Sequence, residues 1–390
     1  MRSGASSFRF THLLVRNWRS FLRADLDLGE RVVLAGPSGA GKSNLLDVFR
    51  FLCDLASPAG GLQEAVRRRG GVRRLRCLAA RQESDLSLVV HAGDGQNPAA
   101  CEYELQFNQE GQHPTVVKRE RLSWRGEDVV DRPDEHDTAD AGRLTQTALE
   151  QGSLHAELSE FAAFLRSVRY FHPAAPLLRD PDRPPGARLD PFGADFLSRM
   201  VATPEKSRQA RLRLVLEVLG GAVPQLRQLE AHRDAHGRPH LRALHEHWRP
   251  RGAWQNEEQL SDGTLRLVAL LWAALDGGGP LLLEEPEISL HPRIVRLIPP
   301  MLARLSRRSR RQMILTTHSL DLLRGEGVST AEILLLNPLE EGSVVRSALD
   351  LKEAAELLDC GVLSAEPAAT GQASAPDRQL GLFAEPPQSS

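Results

Sequence analysis

Gly36-Pro37-Ser38-Gly39-Ala40-Gly41-Lys42-Ser43 fits G-x-x-x-x-G-K-[ST] at every fixed position. Its glycines let backbone N–H groups turn inward around phosphate oxygens, and a helix starting near Lys42 and Asn44 aims its positive end at the same charge. Lys42 is placed to reach the β- and γ-phosphates of a bound nucleotide, and Ser43 to ligate Mg2+. A second constellation lies far downstream. The apolar run Leu281-Leu282-Leu283 ends in Glu284-Glu285-Pro286-Glu287, which reads as a buried strand delivering carboxylates to its C-terminal end, where α/β proteins place their chemistry. Two adjacent carboxylates there divide the work: Glu284 toward the metal shell, Glu285 as the base that orients or polarises an attacking water. His318 follows another apolar strand, Met313-Ile314-Leu315, and the polar Thr316-Thr317. Alone it would read as a loop histidine; its place in this series marks it as a third catalytic candidate.

These groups need a parallel sheet to hold them. Phe10 to Val15 and Ala24 to Leu28 alternate as strands, Arg31 to Ala35 is a compact β-branched run before the glycines, and Asn44 to Leu52 carries apolar residues at helical spacing. From 57 to 257 the pattern changes to Gly/Pro breaks, expected antiparallel strands at Leu86 to Val90, Tyr103 to Phe107 and Val116 to Leu122, and helical periodicity at Leu154 to Leu165 and Ala210 to Leu219. We read residues 1–56 as the first half of an α/β nucleotide-binding core, 57–257 as an inserted β/helical arm, 258–363 as the second half, and 364–390 as a disordered tail. In the second half, helices are expected over Thr264 to Leu275 and Pro292 to Leu305, with strands at Pro280 to Glu284 and Met313 to Thr317.

Taken in order, these motifs resemble the ABC-type ATPase heads of the RecF and SMC superfamily, and most closely the standalone bacterial AAA-family ATPases related to RecF and to the OLD nucleases. Leu13-Leu14-Val15-Arg16-Asn17-Trp18-Arg19-Ser20-Phe21 is similar to that family's first strand and N-F-R-S-F turn. The resemblance covers residues 10–52 and 258–338. It implies ATP and Mg2+ as cofactors. It also implies that Leu260-Ser261-Asp262-Gly263-Thr264 is a signature motif whose Ser261 and Gly263 contact the γ-phosphate held by the opposite subunit, so that ATP closes a homodimer. Ser289-Leu290-His291-Pro292 falls where the family has the loop communicating between the two sites, and His318 matches the histidine that senses γ-phosphate. Three departures stand out: Asp262 and Thr264 replace the Gly and Gln of the transporter-type signature, Glu284 replaces the usual Asp, and Ser38 stands where Asn is common. The Q-loop glutamine is left open between Gln63 and Gln82.

At 390 residues and 41% hydrophobic, the chain can bury one large core or two modest ones. No run approaches the roughly 20 apolar residues that span a bilayer, so a cytoplasmic, nucleoid-compatible protein is expected. Cys53, Cys77, Cys101 and Cys360 lack metal-site spacing and read as reduced structural thiols. With 49 Lys+Arg against 51 Asp+Glu, overall charge gives no push toward nucleic acid, and any such contact must be local. The arginines from Arg67 to Arg81, in a stretch without an acid, are the candidate for a DNA phosphate contact, against a plain solvated face. Arg307, Arg308, Arg310 and Arg311 read as a solvated helix end.

In the polar tail, Gln379-Leu380-Gly381-Leu382-Phe383 resembles the Q-L-x-L-F peptide with which replication and repair proteins dock onto the β sliding clamp. Gln379, Leu380, Leu382 and Phe383 would make that contact from a tether. The expected function is therefore a nucleotide-switched homodimeric ATPase of DNA repair or replication maintenance. The alternative is an ATPase sensor in an antiphage defence or toxin system that acts with an effector nuclease.

Overall fold

The computed structural model describes residues 8–81, 84–151, 155–184, 190–246 and 253–350. Three sheets organise the described residues. The first is antiparallel, in the order β2-β1-β4-β5-β6-β7, built from β1 (Arg9–Trp18), β2 (Phe21–Asp27), β4 (Leu86–Gly93), β5 (Cys101–Asn108), β6 (Val116–Trp124) and β7 (Glu127–Arg132). The core sheet has the order β15-β14-β3-β13-β12-β8. Its strands are β3 (Arg31–Ala35), β8 (Arg169–Phe171), β12 (Leu281–Glu284), β13 (Met313–Thr317), β14 (Ile333–Leu339) and β15 (Gly342–Ser347). All but β15 run parallel. A small third sheet joins β9 (Leu226–Arg233), β10 (Pro239–His245) and β11 (Ala253–Asn256).

The core strands are buried on both faces, which is why they read as continuous apolar runs. Their side chains still alternate between two cores. Val32, Leu34, Leu282 and Ile314 enter one cluster with the helix after the glycine loop, α1 (Lys42–Leu55). Val33, Ala35, Leu281, Leu283, Met313 and Leu315 enter the other, against the helices Asp262–Leu275 and Ile298–Ser309.

Residues 57–257 contribute to several layers. They add β4 to β7 to the sheet that β1 and β2 begin, and they lay β8 along the edge of the core sheet beside β12. Tyr103, Leu105 and Phe161 from this segment share one hydrophobic cluster with Phe49 and Leu52 of α1.

Two local expectations change. The stretch expected as one helix from Pro292 to Leu305 is two, Pro292–Val295 and Ile298–Ser309. Pro299 and Pro300 lack N–H groups and are tolerated only in a first turn, so the second helix must begin just before them. Arg311 is not part of a solvated end: it is 1% exposed, and its Nη1 donates to Ala273 O at 2.6 Å and Asp276 O at 2.7 Å. It thereby gives a further donor to Ala273 O, which also accepts from Asp276 N–H, and caps Asp276 O just past the end of the helix Asp262–Leu275. Burial pulls its pKa down to about 9.

Among the described residues no helix is long and apolar enough to cross a membrane. Cys53, Cys77 and Cys101 are buried free thiols, and Cys360 lies outside the described residues. So does the peptide Gln379 to Phe383.

Candidate functional site

Strand register assembles the site. Glu284 pairs with Thr316 between β12 and β13, Thr317 with Ala35 between β13 and β3, and Leu283 with Phe171 between β12 and β8. Four parallel strands therefore end together, and the glycine loop, Glu284, His318 and His172 leave from one edge. Ligands of parallel sheets bind at that edge.

The loop has the geometry its sequence requires. Gly39 and Gly41 adopt φ of 82° and 91°, a region open to glycine at little cost. A Cβ at Gly36 would come within 2.4 Å of Leu336 O, and one at Gly41 would collide with Ser20 Oγ and the Phe21 ring. The turn at Asn17 to Phe21 thus braces the loop from below. Pro37, Ser38 and Ala40 fill the remaining positions, with Ser38 exposed at the rim. Lys42 Nζ donates to Gly36 O and Pro37 O, both at 2.8 Å. Burial lowers its pKa, while Glu285, Glu287 and Glu284 act in the opposite direction. Asn44 Nδ2 donates to Ser20 Oγ at 3.1 Å, so it secures the bracing turn.

Three carboxylates face this loop. Glu284 accepts from Ser43 Oγ and from Tyr170 OH, while His172 Nδ1 lies 2.8 Å from its carbonyl oxygen. Burial, and then the bond to Glu284, push the Tyr170 pKa up, so Tyr170 stays a donor. Glu285 takes φ of 43°, unusual for a side-chain-bearing residue, and its N–H donates to Thr316 Oγ1 at 3.2 Å. Its Oε1 lies 3.0 Å from His318 Nδ1.

Glu287 is the functional candidate that sequence reasoning left without a task. Its Oε1 accepts from Thr317 Oγ1 at 2.5 Å and from His318 N–H at 3.3 Å. Among the described residues its Oε2 is buried with no hydrogen-bond partner, and burial raises its pKa. The visible signal was the third acid of Glu284-Glu285-Pro286-Glu287. Tyr170 and His172 gave no comparable signal, because a three-residue strand has too short a pattern to stand out. Gln63 is committed elsewhere, donating to Thr115 O and Thr145 O and accepting from Thr115 N–H. Gln82 lies outside the described residues.

The residues fit a nucleotide with Mg2+. Backbone turned by Gly39 and Gly41 offers N–H groups to phosphates, Ser43 and Glu284 put a hydroxyl and a carboxylate side by side, and Glu287 keeps an unpaired buried oxygen nearby.

Ser261 and Gly263 are placed differently. Ser261 caps the helix Asp262–Leu275, its Oγ accepting from Thr264 N–H at 3.2 Å, and both Ser261 and Asp262 are exposed. A Cβ on Gly263 would touch Leu290 at 3.0 Å, so the motif packs on the Ser289-Leu290 loop, where Ser289 has φ of 65°. His291 Nδ1 then caps the next helix through Arg293 N–H at 3.2 Å. Arg179 holds the motif from the other side, donating to Leu260 O at 2.8 Å and to Asp262 Oδ1 at 2.6 Å. Among the described residues no hydrogen bond or ion pair joins Ser261, Asp262 or Gly263 to the loop at 36–44.

The arginine stretch departs most from its expected form. It folds into α2 (Leu62–Arg68) and α3 (Val72–Leu75), and acids of α2 itself and of α1 cover its beginning. Arg67 and Arg68 bond Glu64 at 2.6 and 2.7 Å. Arg69 bridges Asp47 and Asp54, both at 2.9 Å.

Comparison with known proteins follows this geometry. A protein-family profile described as "AAA domain, putative AbiEii toxin, Type IV TA system" matches residues 31–324. Among solved structures, an Smc head bound to the C-terminal winged-helix domain of ScpA matches with TM-score 0.56 and 14% identity, covering 89% of this chain and 99% of that one. An Smc head with an extended coiled coil, bound to the C-terminal domain of ScpA from Pyrococcus furiosus, matches with TM-score 0.50 and 12% identity, covering 90% and 99%. No curated protein matches. At these identities the structural likeness concerns the fold alone, which is that of an Smc head.

Proposed function

Because the chain belongs to the AAA-domain family whose description also names the AbiEii toxin of a type IV toxin–antitoxin system, we propose that it is an ATP-hydrolysing switch that closes as a homodimer. One observation carries this reading. Lys42, Ser43, Glu284, Glu285 and His318 converge at one sheet edge, while Ser261 is exposed, Gly263 is half-buried beside it, and among the described residues neither bonds to that edge. A second copy would complete each site.

In this reading the backbone of Gly36 to Ser43 cradles the phosphates and Lys42 turns from the loop carbonyls to the β- and γ-oxygens. Ser43 and Glu284 would hold Mg2+, which supplies charge neutralisation between those phosphates. Glu284 carries one methylene more than the Asp usual at this place, and Tyr170 and Ser43 fix where its longer side chain ends. Glu285 orients the attacking water and accepts its proton. His318 holds Glu285 beside the γ-phosphate, and Glu287 fixes His318 through its N–H and through Thr317. Ser261 and Gly263 of the other subunit close over the γ-phosphate at the positive end of their helix.

We place this switch on DNA, in repair or replication maintenance, with the Gln379 to Phe383 peptide recruiting it to the β sliding clamp. The sequence of that peptide supports the last step. A second reading is favoured by the family description: the chain would be the ATPase sensor of a defence or toxin system that releases an effector nuclease. The test is the ATPase rate and the molar mass of the full chain, with ATP, with and without single-stranded, blunt duplex and nicked DNA. DNA-stimulated turnover with an ATP-dependent doubling of mass is expected. A monomer at saturating ATP would remove the composite site, and DNA-independent turnover would favour the second reading.

A further inference from the structure

A half-open recess of about 610 Å3 lies along the outer face of α1, walled by the α2–α3 corner and by β8. Seven arginines and two aspartates line it. The two aspartates are already engaged: Asp47 holds Arg19 at 2.7 Å and Arg69 at 2.9 Å, and Asp54 holds Arg68 and Arg69. These pairs fix the wall in place before any ligand arrives, which lowers the ordering cost of binding. Arg50 and Arg74 have no carboxylate partner among the described residues. Arg50 instead lies over the Tyr170 ring, 4.1 Å from its centroid.

A recess with surplus positive charge and restricted solvent focuses the potential inside it. Guanidinium groups match phosphate oxygens two at a time. The volume falls within the range that holds a small ligand and is too small to admit a duplex. We propose that this recess is a second anion site, separate from the glycine loop, that takes the phosphorylated end of one or two nucleotide units. Such a group comes either as the terminus of a nucleic-acid strand or as a free linear dinucleotide.

The recess also touches the ATPase machinery. Tyr170 carries Arg50 on its ring and donates its hydroxyl to Glu284, the carboxylate that also accepts from Ser43. A phosphate that draws Arg50 away from the ring changes the packing of the side chain that positions Glu284, so occupancy alters turnover. This coupling rests on the ATPase reading above, whereas binding does not.

The experiment uses the full chain with saturating ADP, so that the glycine loop is filled. Fluorescence polarisation is read with a 3′-fluorescein dodecathymidylate bearing either a 5′-phosphate or a 5′-hydroxyl. The phosphorylated strand is expected to bind about tenfold tighter, a difference of about 1.4 kcal/mol. Arg74→Gln should weaken that preference while ADP affinity and the thermal transition stay unchanged, and Arg50→Gln with Arg74→Gln should remove it, with ADP affinity measured alongside because Arg50 packs on Tyr170. Competition by the linear dinucleotide pApA assigns the site to free nucleotides, and its failure to compete assigns it to strand ends. Equal binding of the two strands, an unaffected double variant, or displacement of the probe by ADP overturns the proposal. Failure of ADP itself to bind would instead count against the ATPase reading. For the coupling, Tyr170→Phe should bind the probe normally yet lose the probe-dependent change in ATPase rate; an unchanged response sinks that half.

Discussion

Glu285 Oε1 and His318 Nδ1 lie 3.0 Å apart although 33 residues separate them. The contact exists because β12 and β13 run parallel in a register that pairs Glu284 with Thr316, so that the next residues leave the sheet side by side. A carboxylate held in this way is oriented before any ligand arrives.

Glu285→Gln should lower turnover by a factor on the order of 10^2 to 10^4, the usual contribution of a positioned base. It should leave ATP binding intact and trap a dimer, read as a doubled mass in light scattering. His318→Ala should lower turnover with a smaller effect on ATP affinity, because it removes the group that holds the base.

Complementation between two inactive chains tests the shared site directly. Lys42→Ala should be inactive through loss of phosphate binding, and Gly263→Asp through a side chain meeting Leu290 and the incoming γ-phosphate. In a mixed dimer one site carries both defects and the other neither. Mixing the two should restore activity well above either alone, and an inactive mixture would mean that each site is built within one chain.

Glu287→Gln separates position from charge. Glu287 Oε1 accepts from Thr317 and from His318 N–H, and Gln keeps an acceptor there. Turnover should fall less than tenfold, whereas Glu287→Ala, which empties the position, should approach the His318→Ala rate. Equal rates for the two variants would separate Glu287 from the histidine.

The buried network under β6 and β7 sets a pH dependence of stability. Desolvation raises the Glu120 pKa to about 7, against bonds from Ala148 N–H, Tyr103 OH and Arg132. Its folded value lies above its unfolded one, so its contribution is complete below about pH 4.5 and is lost as pH rises toward 7. Asp137 acts in the opposite sense: the Arg132 guanidinium holds it at about 2, so its contribution is present above about pH 3.8 and is lost as pH falls toward 2. Glu120→Gln should therefore gain melting temperature relative to the parent between pH 5 and 8. Asp137→Asn should lose about 3 kcal/mol at neutral pH, as when a buried pair is broken. A parallel pH profile for Glu120→Gln and parent would refute the first statement.

For the tail, the peptide Pro376 to Pro386 should bind purified β clamp, and Leu382→Ala or Phe383→Ala should abolish binding by removing the apolar contacts. Equal binding of all three peptides would end the proposed recruitment.

The sequence by itself carried the chemistry wherever a local rule forces residue type. A phosphate loop needs glycine at fixed places, and a strand buried on both faces needs an unbroken apolar run, so Gly36 to Ser43, Leu281 to Glu285 and Met313 to His318 were legible, as were their strand and helix contexts. The tertiary structure decided whatever depends on neighbours distant in the chain. Arg68 and Arg69 stand in a stretch without an acid, yet Asp47 and Asp54 of α1 pair with them once α1 and α2 pack together. Arg311 reads as solvated and is buried, because the carbonyls at the end of another helix need its donors. Tyr170 became part of the site only when β8 paired with β12. Periodicity reports which face of an element is apolar; it holds no information about which charged group will lie opposite, because long-range register and packing fix that.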